Sequence, residues 1–148
     1  MDIDTYEDAY RLACAYTATP ALSRLNEDGE CDFLALIVTD AVLRDPLIPP
    51  GPDRLLSQLW PAVANRALSR EAGSNAMCMA ALAQPDTQKM MNLLEFALHF
   101  DSKHPLSNQI LAGERQIGLD RTLELVRANR NYAHRQLISG ELTERPWI

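Results

Sequence analysis

The chain has 148 residues, of which 47% are hydrophobic and 23% charged, and its formal net charge is −6. This length suits one ordinary domain, and this composition is typical of a globular protein and excludes extensive disorder. No apolar run approaches the ~20 residues that span a bilayer. The acidic start MDIDTYEDAY also lacks the features of a signal peptide. We therefore expect a single domain over residues 1–148 that is cytoplasmic, with export by a route that needs no such signal as the alternative.

The first helix is expected over residues 5–17, where apolar side chains recur at helical spacing and acids crowd the first turn. Pro20 ends this segment, and NEDGE at 26–30 is a turn. Residues 32–44 are apolar on nearly every face, and we interpret them as a helix. A buried strand is the alternative, because Ile37, Val38 and Thr39 are β-branched.

The segment DPLIPPGPD, residues 45–53, holds four of the nine prolines, so we expect an extended connector rather than a helix. Leu47 and Ile48 are either displayed for docking or tucked into the body, and the second is the commoner role of such loops. Asp53 then caps a helix over 54–71, which we expect to kink or break near Trp60 because Pro61 lies inside it. Ser74 is expected to cap a short helix that ends at Ala83.

The segment DTQKMMNLLEFALHFD, residues 86–101, is apolar on most of its faces and leaves only a narrow polar strip. We expect it to be the central helix of a compact all-α bundle of about six to seven helices. A helix beginning at Pro105 should end near Gly113 or Gly118, and the last long helix should run from Asp120 to about residue 138. The expected core residues are Met90, Leu94, Ala97, Leu98, Phe33, Ile37 and Leu123.

Motifs for cofactor or metal chemistry are absent from the sequence. There is no Gly-rich phosphate loop, H-E-x-x-H or G-x-S-x-G, and His99 and His104 diverge at their spacing on a helix. Cys14, Cys31 and Cys78 are odd in number and widely spaced, which argues against a disulfide framework or a zinc site. We expect no cofactor, no metal and reduced, buried cysteines.

The last helix contains LVRANRNYAHRQL, residues 125–137, in which Arg127 and His134 are two turns apart and share a face with Asn131. This pattern resembles the signature of the HEPN ribonucleases, although the pair Arg130-Asn131 stands one residue closer to His134 than in the commoner pattern. The resemblance implies metal-independent RNA cleavage by Arg127, Asn131 and His134, usually across a dimer. Chemically, the imidazole would act as general base and the guanidinium would stabilise the phosphorane. The alternative role for these side chains is a solvated polar face near a helix C-terminus.

Charge is distributed unevenly along the chain. Residues 1–53 hold eleven acids and three arginines (3 − 11 = −8), whereas residues 54–148 hold eleven bases and nine acids (11 − 9 = +2). Such asymmetry indicates which region meets a charged partner.

The hypothesis we favour from the sequence is a non-enzymatic protein of the immunity, antitoxin or inhibitor type, which covers a basic site on another protein. It would not bind membranes, and it would meet nucleic acid only if the ribonuclease alternative holds. The acidic residues expected to steer and pair with the partner are Glu7, Asp8, Glu27, Asp28 and Glu30. The expected aromatic anchors are Tyr6 and Tyr10, with Trp147 as a further candidate.

Overall fold

The computed structural model describes Asp8, Arg11, residues 30–39 and residues 44–139. These residues form six α-helices and one 3-10 turn, and no strand occurs among them. The helices are α1 (Glu30–Ile37), α2 (Arg54–Asn65), α3 (Arg70–Leu82), α4 (Thr87–Phe100), α5 (Pro105–Ile117) and α6 (Leu119–Ser139). The all-α prediction is therefore confirmed for this part of the chain. Asp8 and Arg11 are both helical, and the rest of the helix predicted over residues 5–17 lies outside the described residues.

The apolar segment predicted over residues 32–44 is helical at its start, and the alternative of a strand is wrong for α1. Leu34, Ala35 and Val38 are buried, whereas Leu36 is 62% exposed. A turn follows at residues 38–39, and residues 40–43 are outside the described range. One side of α1 therefore packs on the body, although the sequence had suggested burial on nearly every face.

The proline-rich connector contains a short helical turn that the sequence analysis excluded. Asp45–Leu47 forms a 3-10 helix with a proline in its first turn, where the missing N–H of Pro46 removes no bond. Leu47 and Ile48 are buried, so they tuck into the body and are not displayed for docking.

The boundary between the two helices of residues 54–83 falls earlier than predicted, because α2 ends at Asn65 and not at Glu71. Asp53 caps α2 as expected, accepting hydrogen bonds from the backbone N–H groups of Leu55 and Leu56. Pro61 lies inside α2, which continues to Asn65, so of the predicted kink or break near Trp60 the break is wrong. The predicted cap at Ser74 is also wrong, because Ser69 accepts from the N–H of Ala72 and caps α3 five residues earlier.

Helix α3 is the most completely buried helix of the described chain. Every residue from 72 to 82 is buried, and α3 packs against both α2 and α4. Small side chains allow this close packing. A Cβ added at Gly73 would lie 2.6 Å from Cδ1 of Phe100, so only glycine leaves room for the ring of Phe100. Ser74 donates its hydroxyl hydrogen to the carbonyl of Ala97 at 2.9 Å, which ties α3 to α4.

Helix α4 matches the predicted segment 86–101, but its central position is not confirmed. Met90, Leu94 and Ala97 are buried as predicted, as is Leu123 of α6. Leu98 and Phe33 are only partly buried, and Phe96 is 49% exposed. The side chain of Ile37 is not among those described.

Helices α5 and α6 are joined by Gly118 alone. Its φ of 89° is a conformation that glycine adopts readily, and it ends α5 where the sequence offered Gly113 or Gly118 as alternatives. Close packing of the two helices needs the other glycine, since a Cβ at Gly113 would lie 2.6 Å from Oγ1 of Thr122. α6 also packs against the 3-10 turn.

Candidate functional site

The acidic surface proposed from the sequence lies mostly outside the described residues. Asp8 is exposed on a helical segment, and Glu30 is the first residue of α1. Residues 6, 7, 10, 27 and 28 lie outside the described range, as does residue 147. Two other acids of the first third have structural partners: Asp45 pairs with Arg44 at 2.8 Å, and Asp53 caps α2. The other nine acids of residues 1–53 all precede residue 45.

Arg127 packs against the body. Its Nη2 donates to the backbone carbonyl of Leu82 at 3.3 Å, at the end of α3, while its buried Nε has no partner among the described residues. Burial lowers the pKa of the guanidinium from its ordinary value. A helix end leaves such carbonyls without intrahelical donors, so this arginine satisfies one of them.

Asn131 and His134, the other members of the ribonuclease pattern, follow on α6. Asn131 is exposed, and its Oδ1 accepts a hydrogen bond from Nη1 of Arg130 at 3.0 Å. Arg130 in turn donates from Nε to the carbonyl of Ile48 at 3.1 Å. The side chain of His134 is not among those described, so the structure does not test its approach to Arg127. The basic face of α6 thus fastens the helix to α3 and to the proline-rich connector.

Arg127 and Asn131 line one open depression of about 460 Å³ on the surface of α6. The same depression is lined by the carboxylates of Asp120 and Glu124. Two acids beside the arginine oppose the approach of a phosphate group, although Glu124 is paired with Arg121 at 3.0 Å.

A buried polar network connects α3, the start of α5 and the connector, and the sequence analysis did not predict it. Asn75 donates from Nδ2 to the carbonyl of Val38. Its Oδ1 accepts from Nη1 of Arg44 at 2.9 Å and also contacts Nε2 of His104. On the other side of the imidazole, Nδ1 of His104 lies 2.8 Å from Oγ of Ser107.

The network fixes the proton positions on His104. Because Asn75 donates to a carbonyl, its remaining amide atom is oxygen, and Nε2 of His104 must carry the hydrogen. Nδ1 then accepts from the N–H and hydroxyl of Ser107, which makes the imidazole the N-cap of α5. Burial, followed by the nearby charge of Arg44, lowers the pKa of His104 to about 4.

Cys78 lies beside this network and is a fully buried free thiol. Burial raises its pKa to about 11, although a hydrogen bond with Ser107 and the charge of Arg44 act in the opposite direction. The prediction of a reduced, buried cysteine is confirmed for Cys78, and Cys14 and Cys31 are not described in this respect. Ser107, His104 and Asn75 are each at most 1% exposed. A substrate therefore cannot reach this hydrogen-bonded chain of hydroxyl, imidazole and amide.

The sequence did contain one signal for this network. His104 precedes Pro105, and proline favours the first position of a helix, which makes residue 104 the N-cap. The partners Arg44 and Asn75 are 60 and 29 positions away in sequence (104 − 44 and 104 − 75), and no periodicity relates them.

A cleft of about 520 Å³ lies between α5 and α6, and we call it the α5–α6 cleft. Its polar lining residues are Arg44, Asp45, Gln109, Thr122 and Asn129. Its other lining residues are Ile48, Pro105, Leu106, Gly113, Ile117, Leu125 and Val126. Because Arg44 lines the cleft and also bonds to Asn75, the cleft is in direct contact with the buried network.

Among the described residues, no three histidine, cysteine or acidic side chains come together as a metal site. None of the described helices is both long and apolar enough to cross a membrane.

Protein-family models, curated proteins and solved structures were compared with the chain, and none of them matches it. Its function is therefore argued from residues and geometry alone.

Proposed function

We propose that this protein acts by binding another protein, as immunity proteins, antitoxins and inhibitors do, and that its acidic first third meets a basic site on that partner. The observation that carries this proposal is the difference in formal charge between residues 1–53 (−8) and residues 54–148 (+2). Charge of one sign on one region speeds association with an oppositely charged surface and disfavours wrong partners.

The contacts of the remaining charges support the same proposal. Asp45 and Asp53 are engaged within the fold, which leaves nine acids before residue 45 (11 − 2 = 9) to form the charged region. On α6, Arg127 and Arg130 both donate to backbone carbonyls, so these cations hold the fold together. A single helical domain over residues 1–148 remains our prediction for the whole chain.

The test is a pull-down from the native host with the wild-type protein and with the variant Glu27→Lys/Asp28→Lys/Glu30→Lys. We expect a stable partner whose binding weakens steeply with salt, because exposed charge pairs are screened within ~10 Å at 0.1 M. The triple reversal should slow association by about tenfold or more.

A matched control reverses three exposed acids elsewhere: Glu71→Lys/Glu95→Lys/Glu124→Lys. Both variants bring the formal net charge from −6 to 0 (−6 + 6), so only the position of the change differs. Equal effects of the two variants, or no effect of the first, contradict the proposal. Far-UV circular dichroism should be unchanged in both.

The second candidate is the metal-independent ribonuclease, for which Arg127 and Asn131 share one open depression, although Asp120 and Glu124 in the same depression disfavour a phosphate. Here the purified protein should cut RNA in the presence of EDTA, and His134→Ala and Asn131→Ala should abolish cutting. Arg127→Ala is a poorer test, because that side chain also satisfies the carbonyl of Leu82. Intact RNA after incubation with wild-type protein removes this candidate.

A further inference from the structure

The α5–α6 cleft has the size and lining of a small-molecule site. Its volume of about 520 Å³ falls in the range of ligand pockets, and apolar side chains with a few polar groups are the usual lining of such pockets. Ile117 and Leu125 are 51% and 52% exposed, so the apolar wall of the cleft remains open to a ligand.

The polar groups of the cleft are partly unsatisfied. Arg44 carries five N–H hydrogens, of which Nε and Nη2 each direct one to Oδ1 of Asp45 and Nη1 directs one to Asn75. Two N–H hydrogens of Arg44 and the Oδ2 atom of Asp45 have no hydrogen-bond partner among the described residues. Gln109 and Asn129 are exposed, and their side-chain amides likewise have no hydrogen-bond partner among the described residues.

These groups together select the charge of a ligand. Arg44 and Asp45 neutralise each other at 2.8 Å, so the polar part of the cleft has no net charge. A carboxylate ligand would approach Asp45, and an ammonium ligand would approach Arg44, each at an electrostatic cost. A neutral group that both accepts and donates hydrogen bonds meets no such cost.

We propose that the α5–α6 cleft binds a small uncharged molecule that carries an amide-type donor and acceptor edge on an apolar body. The carbonyl of the ligand accepts from Arg44, and its N–H donates to Asp45 or to the side-chain oxygen of Gln109 or Asn129. Its apolar body lies against Ile117 and Leu125. This proposal does not depend on the acidic region of the proposed function, and either can fail without the other.

The experiment uses three probes of matched shape: phenylacetamide, phenylacetate and phenethylamine. Each is titrated into 15N-labelled full-length protein and followed by amide chemical shifts. For a ligand of about ten non-hydrogen atoms we expect a Kd on the order of 1 mM for phenylacetamide, with shifts centred on Gln109, Leu125 and Asn129. The two charged probes should bind about tenfold more weakly, since each leaves one hydrogen-bond partner unpaired.

Two variants locate the site. Leu125→Lys places a long side chain in the cleft at a half-exposed position and should weaken phenylacetamide binding about tenfold. The matched control Phe96→Lys changes a residue of similar exposure on α4, outside the cleft, and should leave the Kd within about twofold. The proposal is overturned if no probe binds at concentrations on the order of 10 mM, if a charged probe binds as well as the amide, or if both variants bind equally.

Discussion

At the scale of single residues, the molecule keeps a histidine neutral in its interior by supplying a partner for each ring nitrogen. Asn75 occupies one side of His104 and Ser107 the other, while Arg44 bonds to the same oxygen of Asn75. The cation and the burial both disfavour the imidazolium, and only Asp101 acts in the opposite direction. Protonation of His104 is therefore coupled to unfolding.

The first prediction concerns this coupling. The unfolded chain protonates His104 near pH 6.5, whereas the folded chain does so near pH 4. Between pH 4 and pH 6.5 the unfolded state binds more protons than the folded state. The stabilisation that neutral His104 contributes is therefore fully present above pH 6.5 and is lost as the pH falls toward 4. The loss attributable to His104 should be on the order of 3 kcal/mol, measured by urea unfolding at a series of pH values.

Other groups titrate near pH 4, so two variants isolate the contribution of His104. His104→Gln keeps a donor toward Asn75 without the titration, and the fall in stability between pH 6.5 and 5 should become much shallower. His99→Gln makes the same substitution at an exposed imidazole and serves as the matched control. If the stability of the two variants has the same pH dependence, the conclusion that buried His104 stays neutral is wrong.

The second prediction concerns the thiol beside the network. Cys78 is buried and its pKa is raised to about 11, so it should be neither a thiolate nor accessible at pH 8. In a Cys14→Ser/Cys31→Ser background, its modification by an aromatic disulfide reagent should be at least about a thousandfold slower in the folded than in the urea-unfolded protein. Modification at comparable rates in the two states would contradict its burial.

At the scale of elements, glycine decides how closely two helices approach. The Cβ of an alanine at position 113 would lie 2.6 Å from Oγ1 and 2.7 Å from Cγ2 of Thr122. Thr122 is held in place by a hydrogen bond from its hydroxyl to the carbonyl of Gly118 at 2.8 Å. The α5–α6 cleft lies along the same helix pair, and its shape depends on this contact.

The third prediction follows from that contact. Alanine favours a helix by about 1 kcal/mol over glycine, but the steric clash with Thr122 outweighs this gain. Gly113→Ala should therefore lower the free energy of unfolding by about 1–3 kcal/mol in denaturant titrations. In a Thr122→Ala background the same change should cost less by about 1 kcal/mol, because the two close atoms are gone.

Gly51 provides the control for this cycle, since a Cβ there meets nothing within 4 Å. Gly51→Ala should change stability by less than about 1 kcal/mol. Additive effects of Gly113→Ala and Thr122→Ala would show that the contact does not limit the approach of the helices.

Element type could be predicted from this sequence, whereas several boundaries and the order of burial could not. Apolar periodicity, the cap Asp53 and a proline at the first position of α5 locate α2 and α5, because these signals act over one or two turns. Pro61 misled the prediction, since α2 tolerates it in its interior. The buried network could not be predicted, because Arg44, Asn75 and His104 meet only through tertiary packing.

At the scale of the whole molecule, the core is organised around a helix of small residues. Between Ala72 and Leu82 every side chain is buried, although glycine, serine and asparagine are among them. By contrast, α4, which the sequence predicted as the central helix, has only three buried residues. Hydrophobicity marks what can be buried, but a helix that contacts neighbours on all sides also needs side chains small enough to let them approach.

The last prediction tests this organisation by native-state hydrogen exchange. Amides in the middle of α3 should exchange only through global unfolding, because every side chain there is buried and neighbours cover the helix on several sides. Amides of α4 around Glu95 and Phe96, which are exposed, should exchange through smaller openings and therefore at least about tenfold faster. Mass spectrometry of peptides covering the two helices would measure the difference, with the free energy of unfolding from urea titration as the reference. Slower exchange in α4 than in α3 would restore segment 86–101 as the centre of the fold and contradict the organisation described above.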